Sequence, residues 1–248
     1  MTVSNEFPWF VAVGFVAQMI DGCIGMGYGI FSSTILSTLG LPPATTSATV
    51  HTAEFVTAGV SSISHAWFQN IDRKIFFSLL VPGVAGGTCG AIALAHVPVS
   101  LIRPFVWFYL LVISLVVLSR CILQRNPVQL RALGPGLGTV AGFLDAIGGG
   151  GWGTIVTSTM IARGVPSRYA IGTANAVVFF VALTISVSLW VQLKSMRFDI
   201  VLALLIGGTC AAPLAAYVTH HIPHRRAAVA VGVIVFLLGV NGLFRTLT

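Results

Sequence analysis

Apolar residues dominate ten stretches of the chain, separated by short polar or glycine- and proline-containing breaks. In the first half they run at about 7–24, 27–40, 44–68, 75–95 and 99–119; in the second at about 132–148, 151–164, 168–192, 199–219 and 226–246. A helix needs about 20 residues to cross a hydrocarbon core of ~30 Å. By that measure the third, fourth and fifth stretches of each half predict spanning helices, and the first is marginal. The second, 14 residues long, is too short. It and the stretch before it predict a pair of broken or re-entrant half-helices joined at a glycine cluster. Such breaks survive at membrane depth only when buried in protein or lining a wet cavity. The expected fold is an all-α polytopic membrane protein.

The two halves repeat one another. Setting residue n against n+124 matches Asp21 with Asp145, Gly25 with Gly149, Gly27 with Gly151, Tyr28 with Trp152 and Gly29 with Gly153. Further on, Pro42 meets Pro166, Thr49 meets Thr173, Phe55 meets Phe179 and Ser62 meets Ser186. After a three-residue slip, Gly-Gly-Thr-Cys at 86–89 recurs at 207–210. Self-similarity at one fixed offset is the mark of a duplicated unit. We read two homologous repeats, 1–124 and 125–248, of about five segments each, within one membrane domain. The join falls in the polar stretch from Arg120 to Arg131.

An odd number of segments per repeat turns the second copy upside down. Basic residues test this, because they concentrate in cytoplasmic loops. With five crossings per unit, Arg73, Lys74, Arg120, Arg125, Arg131, Arg163, Arg168, Arg225 and Arg226 share one side, against Arg103, Lys194, Arg197 and Arg245 on the other. The split is 9 to 4, whereas four crossings per unit make it 8 to 5. The bias favours inverted repeats with both termini outside.

Composition sharpens the class. Of 248 residues, 56% are hydrophobic and 8% charged, where a soluble domain carries about 25% charged residues. Too few polar side chains exist to cover a water-facing surface, which excludes a soluble enzyme or a nucleic-acid-binding domain. The net charge of +7 therefore reads as loop residues that stay inside the cell. Cys23, Cys89, Cys121 and Cys210 fall at no metal or redox spacing and read as small packing residues. The N-terminus lacks the basic stretch of a removable signal peptide. No C-x-x-C, H-E-x-x-H, G-x-S-x-G or nucleotide-binding loop is present, so neither a cofactor nor an enzymatic activity is expected. The expected partners are the lipid bilayer and a small ligand, with no nucleic acid.

The glycine clusters are the most unusual stretches: Asp21-Gly-Cys-Ile-Gly-Met-Gly-Tyr-Gly and Asp145-Ala-Ile-Gly-Gly-Gly-Gly-Trp-Gly. A chain that breaks there leaves the first amides of the next half-helix without intrahelical partners. Those amides and the positive end of the helix dipole can bind an anion. Two such ends meeting at the midplane match the sites of inverted-repeat transporters. Close packing through small residues is the alternative. Candidate contacts to the anion are Gly25, Gly27, Tyr28 and Gly29 from the first cluster. The second contributes Gly149, Gly150, Gly151, Trp152 and Gly153, with the two aromatics as cavity walls.

These motifs resemble the TauE/SafE sulfite exporter family. They are Gly25-Met-Gly-Tyr-Gly with Leu41-Pro42, and Gly148-Gly-Gly-Gly-Trp-Gly with Val165-Pro166. The resemblance covers essentially the whole chain. It implies a plasma-membrane, multi-pass transporter of small anions, typically sulfite or organosulfonates such as sulfoacetate. The first copy departs from the usual glycine run at Met26 and Tyr28.

Three of the six acidic residues fall inside apolar stretches: Asp21, Glu54 and Asp145. Charged groups at such depth usually face a cavity or a partner. Glu54 belongs to a stripe, His51, Glu54, Ser61 and His65, on one face of the third segment. The second copy has Asn175, Val178, Ile185 and Leu189 there. One reading makes His51 and Glu54 a proton-binding pair beside the anion, with Asp21 and Asp145 as further proton or capping groups. Structural hydrogen bonding between helices is another. A metal lacks a third ligand at useful spacing. No Lys or Arg lies mid-span, so Thr49, Thr173, Asn175 and a protonated His51 are the candidate polar contacts to the anion. His220, His221, His224, Arg225 and Arg226 read as a solvated turn. An energised transporter and an uncoupled, channel-like facilitator both fit the pattern.

Overall fold

Glycine, proline and short polar breaks end each apolar run, and the runs between them are helical. The computed structural model describes residues 3–122, 135–193, 197–218 and 224–247. The first half comprises α1 (Val3–Ile24), α2 (Tyr28–Thr38), α3 (Pro43–Trp67), α4 (Arg73–His96) and α5 (Val99–Ile122). The second comprises α6 (Pro135–Gly148), a π-helical turn (Gly153–Thr157) running into α7 (Ser158–Ala162), α8 (Ser167–Gln192), α9 (Phe198–Val218) and α10 (His224–Leu247). No strand occurs among the described residues. The join expected around 120–131 and the turn residues His220 and His221 lie largely or wholly outside them.

Length alone separates the spanning helices less cleanly than expected. α4, α5 and α8 contain stretches long and apolar enough to cross a membrane, Arg73–His96, Val99–Ser119 and Arg168–Gln192. α9 and α10 hold shorter apolar runs, Phe198–Ala212 and Gly232–Thr246. α3 has 25 residues, but threonines, serines, His51 and Glu54 make it polar. Its polar side chains are instead turned inward, with Thr46, Ser47, Thr49, His51, Thr52 and Thr57 all buried. α2 is an 11-residue half-helix, as its short apolar run requires.

Helix contacts are exchanged between the halves. α1 packs along α9 and α4 along α6; α3 lies on α8 and α5 on α10; α4 also meets α8, and α3 meets α9. Counted within each half, first meets fourth in both directions, third meets third and fifth meets fifth. Matched residues even meet each other, since the rings of Phe55 and Phe179 lie 6.4 Å apart. Three apolar clusters fill the interior. One is centred on Trp152, Val181 and Ile185, one on Phe10, Tyr28 and Leu204, and one on Leu110, Trp107 and Ile113.

The recurring Gly-Gly-Thr-Cys has one structural job in both halves. A Cβ on Gly86 would run into the Thr139 carbonyl of α6, and one on Gly207 into the Val11 carbonyl of α1. Lipid gives helices no hydrophobic reason to associate, so close backbone approach through small residues supplies the packing. The cysteines of the same motif, Cys89 and Cys210, are free and exposed on the outer faces of α4 and α9. Their expected packing role is thus corrected: the glycines pack, and the cysteines three and two residues later point away. We expect Gly86→Leu to destabilise the protein by about 1–3 kcal/mol or more, as overpacking does. Cys89→Ser should leave stability nearly unchanged. Unfolding midpoints of the two variants in detergent check this.

Candidate functional site

Both helix breaks form where the glycines cluster. Gly25 and Gly27 have φ of +73° and +125°, and Gly149, Gly150 and Gly151 have +70°, +150° and +141°. L-residues rarely adopt these values, so glycine is required for the chain to turn here. The two breaks touch: a Cβ on Gly29 would lie 2.6 Å from the Gly150 Cα. Tyr109 of α5 donates a hydrogen bond from its hydroxyl to the Gly150 carbonyl at 3.0 Å, holding the second break from the opposite side.

A carboxylate bridges each break. The Trp152 N–H donates to Asp145 Oδ1 at 2.7 Å, and Asp145 is fully buried. The last turn of α6 thus satisfies the first amide beyond the gap. Asp21 does the same for the Tyr28 N–H with a longer bond of 3.5 Å. Capping by the two aspartates is therefore their geometry in the structure.

Asp145 has a second partner from the other half of the chain. His51 Nε2 lies 3.1 Å from Asp145 Oδ2 and 3.9 Å from Glu54 Oε2. On the opposite side of the ring, Nδ1 is 2.8 Å from the Ser47 carbonyl oxygen. A carbonyl can only accept, so Nδ1 carries a hydrogen. The close approach of Nε2 to a carboxylate then calls for a second proton in that contact. Ser47 in turn donates from Oγ to the Ala146 carbonyl at 2.6 Å, tying α3 to the end of α6. The donor atoms of His51, Glu54 and Asp145 all lie within 4.8 Å of one another, so a third donor that spacing along α3 did not supply comes from α6. Within this set His51 Nε2 and Asp145 Oδ2 contact each other directly, while Glu54 Oε2 has no hydrogen-bond partner.

Between the breaks lies a cavity of about 20 Å³, room for roughly one water molecule. Asp21, Gly25, Gly27 and Gly29 line one side; Gly151, Trp152, Gly153 and Thr154 line the other; Glu54, Asn175 and Val178 close it. Among the described residues no Lys or Arg borders it. Two buried polar atoms at its wall lack hydrogen-bond partners, Glu54 Oε2 and Thr154 Oγ1. Sequence reading passed over Thr154 because its match in the first half is the apolar Ile30. It also passed over Ser47 and Tyr109, which no spacing rule connects to the breaks.

Other expected contacts fall elsewhere. Tyr28 is buried but does not wall the cavity; its ring packs toward Gly208 of α9, and its hydroxyl has no hydrogen-bond partner. Trp152 does line it, with its indole N–H donating to the Ala174 carbonyl at 3.2 Å. Gly149 and Gly150 form the turn beneath the cavity, filled by contacts to Ser33 and Gly29. Thr49 is fully buried away from the lining, with an unpaired hydroxyl. The Thr173 hydroxyl accepts the Asp72 N–H at 2.9 Å, so it secures the turn before α4 rather than meeting a ligand. His65 sits at the far end of α3 beside Asn70, 3.5 Å away, and is not part of the cluster.

The chain has recognisable relatives. It matches the family described as "Sulfite exporter TauE/SafE" over residues 10–242. It is 34% identical over 244 residues to the "Probable membrane transporter protein YtnM" of Bacillus subtilis (strain 168), covering 94% of this chain and 81% of that protein. No solved structure matches it. With the match running from α1 into α10, through both glycine breaks and the cavity between them, the chain belongs to the TauE/SafE sulfite exporter family and is a membrane transporter.

Proposed function

We propose that the protein is a secondary transporter of small sulfur-containing anions, sulfite or organosulfonates such as sulfoacetate, in the plasma membrane. Protons are the coupling ion and move with the anion, so the protein exports the anions when their outward gradient exceeds the opposing inward proton gradient. The observation that carries this reading is the charge balance of the cavity. Carboxyl groups of Asp21 and Glu54 border it, and among the described residues no basic side chain does. An anion beside two carboxylates in a low-dielectric setting is strongly disfavoured. Once those groups hold protons, they become donors to it. Anion and proton then occupy the site together, and each moves only with the other. Glu54 and His51 are the proposed proton carriers, with Asp145 and Asp21 as the acidic groups facing them.

The cavity also favours a carrier over an open channel. It holds about one water, while a sulfite ion has four heavy atoms, so loading it requires the walls to part. We propose that these walls belong to two inverted repeats rocking about an axis in the membrane plane. Reciprocal pairing of α1 with α9 and α4 with α6 supports that relation, as does the meeting of Phe55 with Phe179.

Two expected outcomes test this. In proteoliposomes with an imposed pH gradient, wild type should accumulate sulfite on the alkaline side, the direction in which protons flow. Glu54→Gln keeps the shape and removes the titratable proton, so it should lose that accumulation while exchange of anion for anion persists. Equal gradient dependence in both would overturn the coupling role of Glu54. For topology, a cysteine placed at Ser4 should react with a membrane-impermeant reagent in intact cells; protection would overturn the inverted arrangement with both termini outside.

A further inference from the structure

The matched positions of the two halves differ around the breaks, and the difference is chemical. In the first half, Ile30 follows the break and packs in the apolar cluster of Leu94, Ile102 and Val106. His51 stands on the next long helix with both ring nitrogens engaged, by Ser47 and by Asp145. In the second half the same two positions are Thr154 and Asn175. Both line the cavity. Thr154 is 1% exposed, and its hydroxyl has no protein partner.

A buried hydroxyl without a partner is unfavourable unless a ligand or water completes it. Of the buried side-chain atoms without a partner, Thr154 Oγ1 and Glu54 Oε2 belong to residues that line the cavity, where a ligand or water can complete them. Asn175 adds a carboxamide on the neighbouring wall, while its own backbone carbonyl is taken by the Ser62 hydroxyl at 3.0 Å. Glu54 and Asp21 line the same cavity and donate hydrogen bonds when protonated. Donors then approach from several sides, an arrangement suited to a head group with several acceptor oxygens, such as the SO3 group of sulfite or a sulfonate.

We propose that the duplicated sites have parted into a proton half and an anion half. His51 and Glu54 handle the proton, and the Thr154 hydroxyl with the Asn175 carboxamide recognises the oxyanion. This deepens the transport reading above and rests on it. It places anion specificity on the second half, at one subsite rather than shared equally between the two breaks. Among the described residues, the first half reaches the same cavity through Asp21, Glu54 and the glycines Gly25, Gly27 and Gly29.

The test uses full-length purified protein and sulfite, with binding measured calorimetrically across a pH series. Thr154→Val is nearly isosteric and removes only the hydroxyl. It should weaken sulfite binding about tenfold, the worth of one hydrogen bond to a charged group, and leave the pH dependence of binding as in wild type. Thr154→Ser restores the hydroxyl and should bind within about twofold of wild type, on the same reasoning. Asn175→Leu should weaken binding by a similar factor through the second donor. Glu54→Gln, by contrast, should flatten the pH dependence. Wild-type affinity in Thr154→Val, or equal weakness in Thr154→Ser and Thr154→Val, would overturn the anion subsite while leaving the transport reading in place. Failure of wild type to bind either sulfite or sulfoacetate would overturn that reading and the subsite with it.

Discussion

A helix broken at membrane depth exposes backbone groups that no water can satisfy. In this protein one side chain, Asp145, resolves that problem and connects it to everything around it. One oxygen takes the first amide beyond the second break; the other takes His51 from the opposite half of the chain. Through Ser47, the same helix also accounts for a carbonyl at the end of α6. The second break is thereby built jointly by both halves. Removing the carboxylate would orphan an amide and a histidine at once, which is costly in a dry interior.

The glycines make this arrangement possible at two scales. At the breaks they supply left-handed backbone and allow Gly29 and Gly150 to touch. Along the helices they bring α4 onto α6 and α9 onto α1 at backbone contact. The second effect fixes where the breaks lie, since α1 and α6 each carry a break at their C-terminal end. Close packing and cavity formation are thus parts of one design. Tight glycine seams place the ends of the half-helices, and a small cavity lies between those ends.

The two breaks share a similar frame and differ in chemistry. Asp21 and Asp145 cap the same position beyond each break, yet among the described residues only Asp145 is paired with a histidine. The partner position in the second half is Asn175, a neutral group facing the cavity. The proposed division between a proton wall and an uncharged wall rests on this asymmetry. Among the described residues no Lys or Arg lines the cavity, and the proposed coupling of anion to proton rests on that composition.

Much of this was legible in the sequence because it depends on local patterns. Apolar run lengths located every helix, the n+124 matches located both breaks, and aspartates seven residues before Tyr28 and Trp152 announced their caps. The charged stripe on α3 was visible because helical periodicity puts His51 and Glu54 on one face. What periodicity cannot tell is which helix that face meets. Only the tertiary structure brought Asp145 to His51, seated Tyr109 against Gly150, sent Thr173 to the turn before α4 and left the Thr154 hydroxyl without a partner at a cavity wall. These depend on contacts between residues far apart in the chain, set by how closely the glycine seams let helices approach. A sequence records which residues can make a site; the packing decides which of them share it.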